Sequence, residues 1–115
     1  MFFPAHRSRI WLCTDPTDMR KSFTGLSAAV KHQLGHDPQG GDYFIFINRR
    51  QTQMKILYFE ASGYCLWSKR LEQGQFNVKP ATDGQRRLTQ TDLQSLLDGI
   101  DIQKYRQFKR FRHAA

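Results

Sequence analysis

The chain has only two cysteines, Cys13 and Cys65, and neither has a second Cys or a His at metal-ligand spacing. A disulfide is not expected in the cytosol, and both thiols are expected to be reduced and packed as small hydrophobes on strands. Long apolar runs are also missing. No stretch approaches the ~20 residues needed to cross a bilayer. The opening MFFPAHRSR breaks its apolar start with Pro4 and turns charged at Arg7, so it does not read as a secretory signal, and the expected location is the cytoplasm. Acids are scarce as well, ten Asp and Glu against eighteen Lys and Arg. Two-metal phosphoryl transfer needs two or three carboxylates converging on ions about 4 Å apart. Here Asp18 and Asp92 read as helix caps, and Asp37, Asp42, Glu72 and Asp83 fall in turns or loops. Asp15, Glu60, Asp98 and Asp101 remain, in no spacing that demands a metal. A phosphate-binding glycine loop, a dinucleotide fingerprint and a Ser, Cys or His nucleophile arrangement are all absent. The expectation is a non-enzymatic protein without metal, cofactor, membrane or small-molecule substrate.

What is present is enough for one core. A chain of 115 residues, 39% hydrophobic and with nine Phe, fits a single domain able to bury an adequate interior. Its net charge is +8, and the excess is uneven. Lys104, Arg106, Lys109, Arg110 and Arg112 follow Ile102 with no acid among them, which leaves thirteen basic residues against ten acids, +3, for the body. Such a distribution suits a polyanion, because each Lys or Arg that neutralises a phosphate releases condensed counterions. The plain alternative is a solvated, solubilising tail.

Arg9 to Cys13 reads as a short strand, ended by the break at Asp15-Pro16. A helix follows, with Phe23, Leu26, Val30 and Leu34 on one face, Ala29 among them, Thr17 or Asp18 as cap and Gly35 as the left-handed stop. His36 to Asp42 is a loop. From Tyr43 the period becomes two: YFIFIN, a polar tip at Arg49 to Gln53, MKILYFE, a turn at Ser62-Gly63, YCLWSKRL, a turn at Glu72 to Gly74, and QFNVK. Connections this short join antiparallel neighbours. Tyr43 to Ile47 is apolar at every position, which predicts a central strand covered on both faces, one of them by the first helix. Pro80 to Arg87 reads as a polar linker. Leu88 opens a second helix, with Thr89 and Asp92 in capping-box relation, Leu93, Leu96 and Leu97 as its stripe, and Gly99 as its end. Tyr105, Phe108 and Phe111, three apart among cations, suit a basic amphipathic helix. The expected fold is α+β: one domain over residues 1–102, a four- to five-stranded, mainly antiparallel meander sheet packed by one long and one short helix, then a basic extension over 103–115.

Several clusters are candidate contacts. Arg20 and Lys21, at the start of the first helix, either hold an anion at its free amides or form a solvated first turn beside Asp15 and Asp18. Arg49, Arg50 and Lys55 lie at a hairpin tip and on the strand leaving it, and Lys69 and Arg70 end a later strand. Sheet geometry would bring these to one edge, with Tyr58, Tyr64 and Trp67 nearby, either stacking on bases or serving the core. His32 and His36 are four apart, but Gly35 intervenes, so a cationic His near a helix C-terminus is the better reading than a metal pair.

Three ordered blocks carry a resemblance: DMRKSFTGL (Asp18 to Leu26), MKILYFEASGYCLWSKRLEQGQF (Met54 to Phe76) and LTQTDLQSLLDGID (Leu88 to Asp101). Together they resemble the TnpB accessory proteins, second open-reading-frame products of bacterial insertion sequences of the sixty-six family, from Ile10 to Ile102. That resemblance implies a part in transposition and DNA recombination, beside a separate, larger transposase that carries the acidic triad. The chain departs from the family's pattern at the tip, with Gln51, Thr52 and Gln53 where an Asp and a further basic residue are usual. It also has Ser22 for Gly, Phe59 for Trp, and Gln75 for Arg, the last removing one positive charge. Two functional expectations stand. The first is an accessory factor that binds nucleic acid, DNA above all, through Arg20, Lys21, Arg49, Arg50, Lys55, Lys69, Arg70 and the basic extension. The second is an interaction module that docks on the transposase through Tyr58, Tyr64 and Trp67.

Overall fold

Five consecutive apolar residues, Tyr43–Ile47, form a strand (β2) in which every side chain is buried, which is possible only under cover on both faces. A computed structural model of the protein, describing residues 8–101 and 106–107, supplies that cover. β2 is the middle of a five-stranded sheet ordered β4-β3-β2-β1-β5, with β1 at Ile10–Cys13, β3 at Gln53–Glu60, β4 at Gly63–Arg70 and β5 at Gln85–Leu88. One face carries Ile10, Leu12, Ile45, Ile47, Met54 and Ile56, covered by Phe76 and by Leu93, Leu96 and Leu97 of helix α2 (Gln90–Asp98). On the other face Phe44, Phe46 and Leu57 meet Leu26, Ala29, Val30 and Leu34 of the first helix. That helix, α1 (Phe23–Ala29), continues as a π-helical turn over Val30–Leu34.

Local signals in the sequence hold where they depend on neighbours. Gly35 ends the first helix at φ 73, with the His36 amide donating to the Val30 carbonyl at 3.0 Å. Thr89 and Asp92 form the capping box: the Asp92 amide donates to Thr89 Oγ1 at 3.0 Å and the Thr89 amide to Asp92 Oδ2 at 2.9 Å. Gly99 closes α2 at φ 77. Cys13 is buried on β1 and Cys65 half-buried on β4, both as free thiols, and burial raises the Cys13 thiol above its ordinary pKa.

Several expectations are corrected. The sheet is mixed, because β1 runs parallel to β2 (Ile10 beside Tyr43, Leu12 beside Ile45), while the other pairings are antiparallel. QFNVK is not a strand: Gly74 turns the chain at φ 82, and Phe76 drops fully buried beneath the sheet. The supposed linker holds the fifth strand instead, β5, which pairs with β1 at the far edge (Cys13 with Gln85, Ile10 with Leu88). Lastly, α1 starts at Phe23, not at Thr17 or Asp18, and Ser22 at its N-cap makes no side-chain bond to it. Asp18 closes a turn, accepting the Lys21 amide on its carbonyl at 3.1 Å and the Arg20 amide on its carboxylate at 2.9 Å. After α2, Ile100–Asp101 (β6) pairs with Arg106–Gln107 (β7), so these two tail residues are extended where an amphipathic helix is expected. The remainder of that expected helix, with Tyr105, Phe108 and Phe111, lies outside the described residues.

Candidate nucleic-acid interface

Strand directions gather one end of the sheet. β1 and β2 finish there, β3 and β5 start there, and β4 returns to it, so the 48–52 tip lies beside the segments that follow Cys13 and Arg70. The tip is braced from within by Asn48. Its Oδ1 accepts the Thr52 and Gln53 amides at 2.9 and 3.0 Å, and its Nδ2 donates to Thr52 Oγ1 at 3.2 Å. It is braced from outside by the segment carrying Phe76. The Phe76 amide donates to the Gln51 carbonyl at 2.6 Å, Gln75 Nε2 to the Arg50 carbonyl at 2.8 Å, and Gln51 Nε2 to the Val78 carbonyl at 3.3 Å. Gln51 sits at φ 59, a conformation these bonds hold in place. Gln51, Thr52 and Gln75 thus share with Asn48 and Phe76 the hydrogen bonds that fix the tip. Arg49 and Arg50 stand exposed on it, with no acidic partner among the described residues.

The other expected cations are less alike. Lys69 and Arg70 pair with Met54 and Gln53, so they reach the same end but point to opposite faces. Arg70 lies 3.7 Å from Glu72, both largely exposed, an ion pair of little energetic weight. Lys55 is engaged by the protein: its Nζ donates to the Met19 carbonyl at 2.7 Å and the Lys21 carbonyl at 2.8 Å, anchoring the approach to α1. Arg20 grips Asp18 with Nε and Nη2, the latter at 2.6 Å, and this guanidinium holds the Asp18 carboxyl down at about 2. Because α1 begins after Ser22, Arg20 and Lys21 precede the helix and do not occupy its first turn. Lys104, Lys109, Arg110 and Arg112 lie outside the described residues, and Arg106 is on β7.

Sequence reasoning missed Lys79 and Arg86. The Arg86 guanidinium, on β5, donates to the carbonyls of Lys79 and Pro80 at 3.4 and 3.3 Å, which draws both cations to this end. Neither shows a hydrophobic period, so only the pairing of β5 with β1 could reveal them. With Arg20, Lys21, Arg49, Arg50, Lys55, Lys69 and Arg70 they outnumber the acids of this end, Asp15, Asp18, Glu72 and Asp83. The opposite end carries Asp37, Asp42 and Glu60.

The aromatic cluster divides. Tyr58 and Trp67 share the face covered by α2, where the Tyr58 ring lies 4.8 Å from that of Tyr43 and partial burial raises the Tyr58 hydroxyl pKa. Tyr64 points to the α1 face and meets Phe59 edge-on at 5.1 Å. The three cannot form one patch. His36 is engaged elsewhere: it stacks on Trp11 at 4.2 Å, and its Nε2 lies 2.8 Å from Gln85 Oε1. Since Gln85 Nε2 donates to the Leu34 carbonyl at 3.1 Å, its Oε1 is the acceptor, and His36 Nε2 carries the proton. Among the described residues no group of three His, Cys, Asp or Glu could hold a metal ion, and no helix is long and apolar enough to cross a membrane.

Comparison with known proteins reaches the level of family. Uncharacterized protein y4hO of Sinorhizobium fredii is 36% identical over 93 residues, 81% of each chain. Uncharacterized protein y4jC of the same organism is 35% identical over 101 residues, 88% of this chain and 86% of the relative. No solved structure matches. The family described as IS66 Orf2-like proteins matches residues 8–107, a span that takes in every described residue, and the chain belongs to that family.

Proposed function

We propose that the protein is a non-catalytic accessory factor of insertion-sequence transposition that contacts nucleic acid through the basic end of its sheet. One observation carries the reading: Arg49 and Arg50 project from a tip whose backbone is held from both sides, at an end where cations outnumber acids. A tip whose backbone is already held loses less conformational entropy when it meets phosphates. Among the described residues neither a helix-turn-helix nor a zinc finger is recognisable, so the contacts are to the backbone and fix position without reading bases. Titrating the full chain with element-end duplex, unrelated duplex and single-stranded DNA at two salt concentrations tests this. Similar affinity for both duplexes, falling steeply with salt, is expected. Affinity indifferent to salt, or no binding at low salt, overturns it.

A second reading, docking on the element's transposase, is favoured by Tyr58 and Trp67, which remain half-buried on the α2-covered face. It requires a complex with the transposase that survives salt concentrations which abolish DNA binding.

A further inference from the structure

We propose that β4 is a self-pairing edge: two copies of the chain join antiparallel along Gly63–Arg70 and extend the five-stranded sheet to ten strands. β4 ends the sheet, and all eight of its residues keep unbroken register with β3. Every second residue therefore turns its backbone N–H and C=O away from β3, along an edge that no described strand covers. The other edge, β5, is only four residues long. Folded proteins blunt such edges with charge, proline or bulges, whereas Tyr64 to Trp67 is uncharged, half-buried and regular.

Charge selects a second copy as the occupant. A two-fold axis perpendicular to the sheet keeps each face on its own side, so opposed residues must share a face. Centred on Leu66, it sets Leu66 against Leu66 on the α1 face, Cys65 against Trp67 on the other face, and Lys69 against Gly63. A Cβ at Gly63 would meet nothing within 4 Å, and the residue paired with Gly63 on β3 is the exposed Glu60. Lys69 of one copy thus lies across an open glycine from Glu60 of the other, about 10 Å away backbone to backbone over two strand spacings, within the combined reach of the side chains. The contact occurs twice by symmetry. Centred on Trp67, the axis would instead set Lys69 against Cys65 and Arg70 against Tyr64, with no acid in reach. One further consequence rests on the nucleic-acid reading above: the two arginine tips would lie at opposite ends of the joined sheet, so one dimer could hold two separate segments of nucleic acid.

Sedimentation of the full chain across micromolar concentrations, without nucleic acid, tests the pairing independently of that reading. A concentration-dependent dimer is expected. Glu60→Lys and Lys69→Glu should each weaken it at least tenfold, and the double exchange should restore it. In a Cys65→Ser background, Leu66→Cys should form an interchain disulfide under mild oxidation, because the opposed Cα atoms would lie about 5 Å apart. A monomer at every concentration, a dimer indifferent to both single exchanges, or a correctly folded Leu66→Cys protein that does not cross-link overturns the proposal.

Discussion

Lys55 Nζ donates to the Met19 carbonyl at 2.7 Å, across 36 residues of sequence, and so ties β3 to the segment that leads into α1. The ammonium also holds the Lys21 carbonyl, which makes Lys55 a cap for two chain carbonyls. Lys55→Met should lower stability by about 1–3 kcal/mol, read as a fall in the urea midpoint, because both carbonyls lose a charged donor. The salt slope of nucleic-acid affinity should not change. Full stability with a smaller slope would return Lys55 to the phosphate contacts.

Arg49 and Arg50 are exposed, and the hydrogen bonds that brace the tip are made by the side chains of Asn48 and Gln75. The double reversal to Glu should leave the thermal midpoint nearly unchanged, as for surface changes worth about 0.5 kcal/mol. It should weaken binding to all sequences alike and reduce the slope of log affinity against log salt by about 0.9 for each lost contact. Unchanged affinity and slope would remove the tip from the interface, and loss of transposase association in that variant would favour the docking reading.

Arg20 holds the Asp18 carboxyl at about 2, below its ordinary range near 3.8. A carboxyl depressed in the folded state adds stability that is fully present above the unfolded pKa and disappears as pH falls through the folded one, here from about 4 to about 2. NMR titration should place the Asp18 midpoint at the lower value, and Arg20→Ala should move it upward. Both partners are exposed, so the effect on overall acid stability should be small.

Phe76 is fully buried under the sheet, and its amide bonds to Gln51 in the tip. Phe76→Ala should cost about 3–5 kcal/mol in denaturant unfolding. Where the fold survives, amide exchange of Gln51 and Thr52 should accelerate more than that of α2. Equal acceleration in both would mean that Phe76 serves only the core.

How far the chain could be read in advance depends on the range of each interaction. The burial of Tyr43–Ile47, the Thr89 and Asp92 capping box and the stops at Gly35 and Gly99 follow from residues within a few positions of each other, and the structure contains them all. Arg86 and Lys79 escaped notice because the residues around them lack a period. The expected strand at QFNVK failed because Phe76 is held by the core and the tip, not by a neighbouring strand.

By itself the sequence determined the family, the apolar middle of the sheet, both helices and the excess of positive charge, since each is a matter of composition or of spacing along the chain. Tertiary structure alone decided that β1 lies parallel to β2 with β5 beyond it, that Tyr64 points away from Tyr58 and Trp67, and that Lys55 bonds to carbonyls while Arg49 and Arg50 stand clear. These outcomes join residues tens of positions apart. A local pattern fixes which way a side chain alternates, but only the packed sheet fixes what it meets.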